Sequence, residues 1–135
     1  MVRWALTNGN GYDVFPTSDD DLRRALQHAD ALARDEGRPR VAVLTPDLDA
    51  DDAAYLCIGV GADDSVLVYE PGDQDDGGYS KGSRAGDTTP VTFAYGTAPT
   101  EYLAWMLVPK EIAFAAAAEF FRTGKRPTAV EWADL

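Results

Sequence analysis

The stretch "PKEIAFAAAAEFFRTGKRP", residues 109–127, leaves this chain little freedom in how it folds. Proline suits the first position of a helix, where its missing N–H would have no helical partner anyway. Gly124 stands where a left-handed C-cap belongs, and Pro127 bars continuation. At 100° per residue, Glu111, Glu119 and Arg122 share one arc, while Ile112, Ala113, Phe114, Ala116, Ala117, Phe120 and Phe121 sweep the rest. So broad an apolar face demands a sheet for the helix to press against.

Earlier segments supply that sheet. "VRWAL" is short and β-prone, and "NGNGYD" after it is turn chemistry. Ser18 and Asp21 have capping-box spacing, and Leu22, Ala25, Leu26, Ala29, Leu32 and Ala33 then share one face of an amphipathic helix that Gly37 and Pro39 stop. "RVAVLTP" predicts a strand, and "AAYLCIGVGADDSVLVYEPG" predicts a hairpin. Residues 71–90, rich in Gly, Asp and Ser, are expected to be mostly loop. "VTFAYGT" predicts a strand, as does "EYLAWMLV", because the residue before Pro109 is pushed out of helical geometry. "TAVEW" predicts the last one. The order β-α-β-β-β-β-β-α-β, with mostly short connections, predicts an α+β fold: a largely antiparallel sheet carrying two main helices, with residues 1–135 forming one domain.

Charge is unevenly placed. The net charge is −11, yet residues 46–87 hold eleven acids against Lys81 and Arg84, while each flanking segment is close to neutral. A field this negative repels nucleic acid and anionic membrane and steers a basic partner toward the segment. A solvated acidic face is the competing explanation. No stretch approaches the roughly 20 apolar residues that span a bilayer. The opening residues lack a secretory signal pattern, so a cytoplasmic location is expected.

Chemistry-bearing motifs are scarce. Cys57 in an apolar run reads as a buried, inert thiol, and His28 as a solvated residue on the flank of the first helix. Zinc ligation by Cys and His lacks ligands here. "DLDADDAAYLCI" opens like a calcium loop but has Asp52 where the turn glycine belongs and Ile58 where the bidentate Glu belongs. "GVGADD" and "GNGYDV" lack the last glycine of a dinucleotide fingerprint. Among 23 acids, close carboxylate pairs carry no signal without a pocket. No catalytic residue, metal site or cofactor is expected.

The ending carries a more specific signal. Phe120 and Phe121 in a helix, then Thr123, Gly124, Arg126 and Pro127, then a short strand reaching Trp132, resemble the first-described immunity-protein family of bacterial polymorphic toxin systems, the DddI-like family. The helix entry from Val108 to Glu111, "YSKGS" and "YGT" are also similar to it. The likeness is close over residues 100–135 and looser over 60–99. It implies a non-enzymatic cytoplasmic inhibitor of a cognate toxin, usually of the nucleic-acid deaminase superfamily and in some cases of another toxin class; for a small acidic chain a monomer is expected when free. Such deaminases use a zinc-activated water in a pocket that a base must enter, on a basic surface. An inhibitor of this kind needs a complementary surface rather than chemistry. The acidic loops are the expected contact: Asp47, Asp49, Asp51 and Asp52 in one, Asp73, Asp75 and Asp76 in the other, with Tyr79 as aromatic anchor. Two other readings stay open, an acidic adaptor for a different basic partner and a small enzyme using carboxylates.

Overall fold

The apolar periodicities build the expected elements in a computed structural model that describes residues 3–7, 13–47, 50, 52–72 and 76–135. In chain order these are β1 (Ala5–Thr7), β2 (Asp13–Val14), α1 (Asp19–Asp35), β3 (Arg40–Thr45), β4 (Tyr55–Val60), β5 (Asp64–Ser65) and β6 (Leu67–Glu70). There follow β7 (Gly78–Lys81), β8 (Pro90–Tyr95), β9 (Ala98–Leu103), a 3-10 turn (Ala104–Met106), β10 (Val108–Pro109), α2 (Lys110–Thr123) and β11 (Glu131–Asp134). The main sheet runs β11-β7-β6-β4-β3-β1-β2 with every neighbouring pair antiparallel. The β8–β9 hairpin joins it at one parallel bridge, Arg40 to Ala94, and β10 pairs separately with β5. This is an α+β fold. The Asn-Gly turn expected between β1 and β2 lies outside the described residues.

Strand alternation divides the core into two layers. Leu44, Leu56, Ile58, Val60 and Leu67 meet Leu22, Leu26 and Ala29 of α1 and Ala113, Ala116 and Phe120 of α2. Val41, Cys57, Val66 and Val68 point to the opposite face, where Phe93, Tyr102 and Met106 from the hairpin and the 3-10 turn cover them. Both faces of the central strands are therefore buried.

Local chemistry sets the helix ends. The Asp21 N–H donates to Ser18 Oγ at 3.1 Å, while the Asp21 carboxylate turns back to the Thr17 N–H and hydroxyl. Gly124 closes α2 at φ 68, with its N–H donating to the Phe120 carbonyl at 2.7 Å. Asp30 is 6% exposed on the buried stripe of α1. Its carboxylate accepts from the Gly61 N–H at 2.7 Å, from Lys110 Nζ at 3.1 Å and from Arg34 Nε at 3.0 Å. One acid thereby ties α1 to the turn after β4 and to the first residue of α2.

Two expectations need correction and a third is refined. The described part of residues 71–90 is mostly loop, as expected, but Gly78–Lys81 form β7 and pair with β6 on one side and β11 on the other. Neighbours on both sides recruit a segment whose own β-propensity is low. "EYLAWMLV" is not one strand: β9 ends at Leu103, and the next three residues coil into the 3-10 turn. There the Trp105 carbonyl accepts from the Gly82 N–H at 2.7 Å and the Met106 carbonyl from Ser80 Oγ at 2.7 Å, so these groups serve β7 rather than continuing a ladder. The buried strip of α2 is narrower than expected, with Ile112 40% exposed and Phe114 and Phe121 only half-buried. Its alanines bring the helix axis close to the sheet and leave bulky residues on the flanks.

Candidate functional site

On the face away from the helices, alternation places Tyr55 opposite Glu70 and Val68 opposite Tyr79, across β4, β6 and β7. These side chains floor a groove of about 360 Å³ whose far wall is β9, through Glu101, Tyr102 and Leu103, with Tyr95 of β8 at its mouth. A shallower depression of about 240 Å³ shares Tyr55 and Tyr95 and reaches Thr45 and Asp47. The concave surface thus runs from the loop after β3 to β7.

Close packing fixes the walls. A Cβ on Gly59 would sit 2.7 Å from Phe93 Cε1, so only glycine there lets the hairpin close over β4. Phe93 meets Tyr102 edge-to-face with centroids 6.0 Å apart. The Ala94 N–H donates to the Pro39 carbonyl at 2.9 Å, pinning the same end of β8.

The groove is electronegative without being nucleophilic. Burial, reinforced by the Glu70 carboxylate, pushes the Tyr55 phenol up to about 12. The same two causes, burial first, push the Cys57 thiol up to about 12. Burial chiefly pushes Tyr102 up to about 12 and raises Tyr95. At neutral pH these groups keep their protons, and the charge comes from Glu70 and Glu101. Cys57 is buried, as the sequence led us to expect, and carries no thiolate for chemistry. His28 is exposed on α1. Among the described residues no cluster of three or more His, Cys, Asp or Glu could hold a metal ion.

Of the expected contact residues that the structure describes, Asp47 and Tyr79 line these concavities, while Asp52 and Asp76 do not. Asp47 is exposed, bridges to Arg3 through its backbone and lines the shallow depression. Asp52 is exposed, and the Asp52 carbonyl abuts Gly72, so the loops before β4 and after β6 meet at one end of the sheet. Asp76 is exposed, and its carbonyl accepts from Arg126 Nη1 at 3.0 Å. Tyr79 lies in the groove itself. Asp49, Asp51, Asp73 and Asp75 lie outside the described residues.

The motif residues of the ending stand on the helix side. Phe120 is fully buried, with Trp4 at 5.1 Å and Tyr69 at 5.7 Å, both edge-on. Phe121 packs on Trp4 at 5.2 Å. Trp132 packs on Tyr69 at 6.2 Å and donates through Nε1 to the carbonyl of buried Pro127 at 2.8 Å. Sequence reasoning missed Tyr55, Glu70, Tyr95, Glu101 and Tyr102. Their signal was period-two phase: Tyr55 sits two residues before Cys57 and Glu70 two after Val68, hence on the face opposite the leucines.

Among the described residues no helix is long and apolar enough to cross a membrane. No curated protein matches the chain. The family model described as Immunity protein Imm1 matches residues 10–134, nearly the whole length, and the chain belongs to the Imm1 family of immunity proteins.

Proposed function

We propose that residues 1–135 act as one immunity domain that binds and occludes a cognate polymorphic toxin. The resemblance of the ending to the DddI-like family supports a toxin of the nucleic-acid deaminase superfamily as the proposed partner. The observation that carries this reading, beyond family membership, is the location of the charge. Residues 46–87 hold eleven acids against two bases, and from that segment Glu70 and Asp47 line the concavities of a sheet face edged with tyrosines. A deaminase must present a basic, nucleic-acid-facing surface around a pocket that admits a base. An acidic face of matching shape competes for that surface, and about 800 Å² per partner suffices for a specific complex. Asp47, Asp49, Asp51, Asp52, Asp73, Asp75 and Asp76 are the proposed steering charges, and Tyr79 the proposed anchor. Rim acids speed encounter, while a desolvated aromatic slows dissociation. The protein performs no catalysis in this account, needs no cofactor, works in the cytoplasm and is monomeric until it meets the toxin.

The test is co-expression with the toxin domain encoded beside this gene, scoring survival and co-purification. Survival with a stable complex is expected. Survival without a complex contradicts occlusion, and a gene neighbourhood with no toxin favours an acidic adaptor for another basic partner.

A further inference from the structure

We infer that the groove between β4, β6, β7 and β9 receives the guanidinium of an arginine side chain from the partner. This rests on the proposed toxin-binding role and names the chemical group that the sheet face takes.

Four phenols and two carboxylates converge here: Tyr55, Tyr79, Tyr95 and Tyr102 with Glu70 and Glu101. Among the described residues, neither carboxylate and none of the four hydroxyls makes a hydrogen bond or ion pair within the chain. Tyr102 is the telling case, because it is 8% exposed and its hydroxyl still has no protein partner. An unpaired hydroxyl on a side chain held this firmly offers an entering group a fixed donor and acceptor. No buried side-chain polar atom is sealed away without a partner, so the Tyr102 hydroxyl remains reachable from the groove.

The occupant must be a cation that donates several hydrogen bonds in different directions. Glu70 lies across from Tyr55 in the ladder, and no lysine or arginine lines this groove to neutralise it. A guanidinium offers five N–H donors in a planar fork, stacks on aromatic faces and is weakly hydrated. An ammonium is a compact, strongly hydrated point charge that cannot span acceptors on opposite walls. Anions are excluded by the two carboxylates. A neutral apolar group would displace water from these polar groups and offer no hydrogen bond in exchange.

The first test uses the free protein. Nuclear magnetic resonance titration with N-acetyl-arginine N-methylamide should give saturable shifts at Tyr55, Glu70, Tyr95 and Tyr102, with a dissociation constant on the order of 10 mM for so small a ligand. The neutral isostere, the citrulline amide, should give none, and the lysine amide weaker ones. Glu70→Gln should weaken arginine binding at least about fivefold, the loss expected for one charge-assisted hydrogen bond. Tyr95→Phe, at a position 48% exposed, supplies a second variant should the first disturb folding. Absence of saturable shifts, or equal binding of the citrulline or lysine amide, overturns the inference. The second test measures toxin-domain binding by Glu70→Gln/Glu101→Gln. A complex of undiminished affinity together with no arginine shifts overturns the groove assignment and leaves toxin binding standing. Saturable arginine binding with no toxin complex supports the groove and overturns the toxin-binding role.

Discussion

Asp30 is a sensitive point in the scaffold, and its replacement can be worked through quantitatively. It accepts the Gly61 N–H at 2.7 Å and ion-pairs with Lys110 and Arg34 at 3.1 and 3.0 Å. Asp30→Ala strands the Gly61 N–H, which costs about 1–3 kcal/mol, and removes two charge-assisted contacts. Breaking a fully buried ion pair costs about 3–5 kcal/mol, but Lys110 and Arg34 can turn to water here, so about 2–4 kcal/mol is expected. At this chain length that lowers Tm by about 8–15 °C. Asp30→Asn keeps an acceptor for Gly61 and loses only the charge, so about 1–2 kcal/mol is expected. Burial alone would raise the Asp30 carboxyl, but the Gly61 N–H, Lys110 and Arg34 outweigh it and hold the group below its ordinary value. A carboxyl that titrates lower in the fold than the open-chain value of about 3.9 stabilises fully above that value. The contribution disappears as pH falls through the lower folded value. Urea denaturation of wild type and Asp30→Asn should therefore show a gap that is full above about pH 5 and narrows toward pH 2. A gap constant with pH, or below about 0.5 kcal/mol at pH 7, refutes the reasoning. Because Asp30 lies on the helix side, toxin affinity of the folded variant should not change.

Three further outcomes are expected. Phe120→Ala, which empties a fully buried site between Trp4 and Tyr69, should cost about 3–5 kcal/mol by urea denaturation, and a loss below about 1 kcal/mol contradicts its central place. Gly59→Ala places a methyl 2.7 Å from Phe93 Cε1 and should cost about 1–3 kcal/mol while increasing amide exchange in β8 and β9, whereas unchanged exchange there contradicts the hairpin contact. Cys57, 6% exposed with its thiol pushed up to about 12, should react with a thiol reagent at pH 7 only as fast as the chain opens, and rapid native-state labelling contradicts its burial.

The sequence made legible what depends on local chemistry. Ser18 and Gly124 declared the ends of the helices, and the leucines of α1 and alanines of α2 declared their buried stripes. The acidic imbalance marked a segment of the chain, not a place in the fold; the structure shows Asp47, Asp52 and Asp76 of that segment exposed in the loops after β3 and β6. What stayed hidden depends on pairing between distant segments. β7 exists because β6 and β11 flank it, and nothing in "GYSK" announces that. The groove exists because the β8–β9 hairpin folds back over β4 through Gly59 and Phe93, a contact 34 residues apart along the chain that no periodicity encodes. Asp30 escaped because an acid on an apolar stripe reads as an interruption until its partners from Gly61 and Lys110 are in place.

The central claim, that the acidic and tyrosine-lined sheet face rather than the helix face covers the toxin, is tested most directly by amide hydrogen exchange of this chain with and without its toxin domain. The account predicts slowed exchange in residues 46–57, 68–79 and 95–102 and unchanged exchange along α1 and α2. Protection confined to the two helices, with the groove strands exchanging as in the free protein, contradicts it.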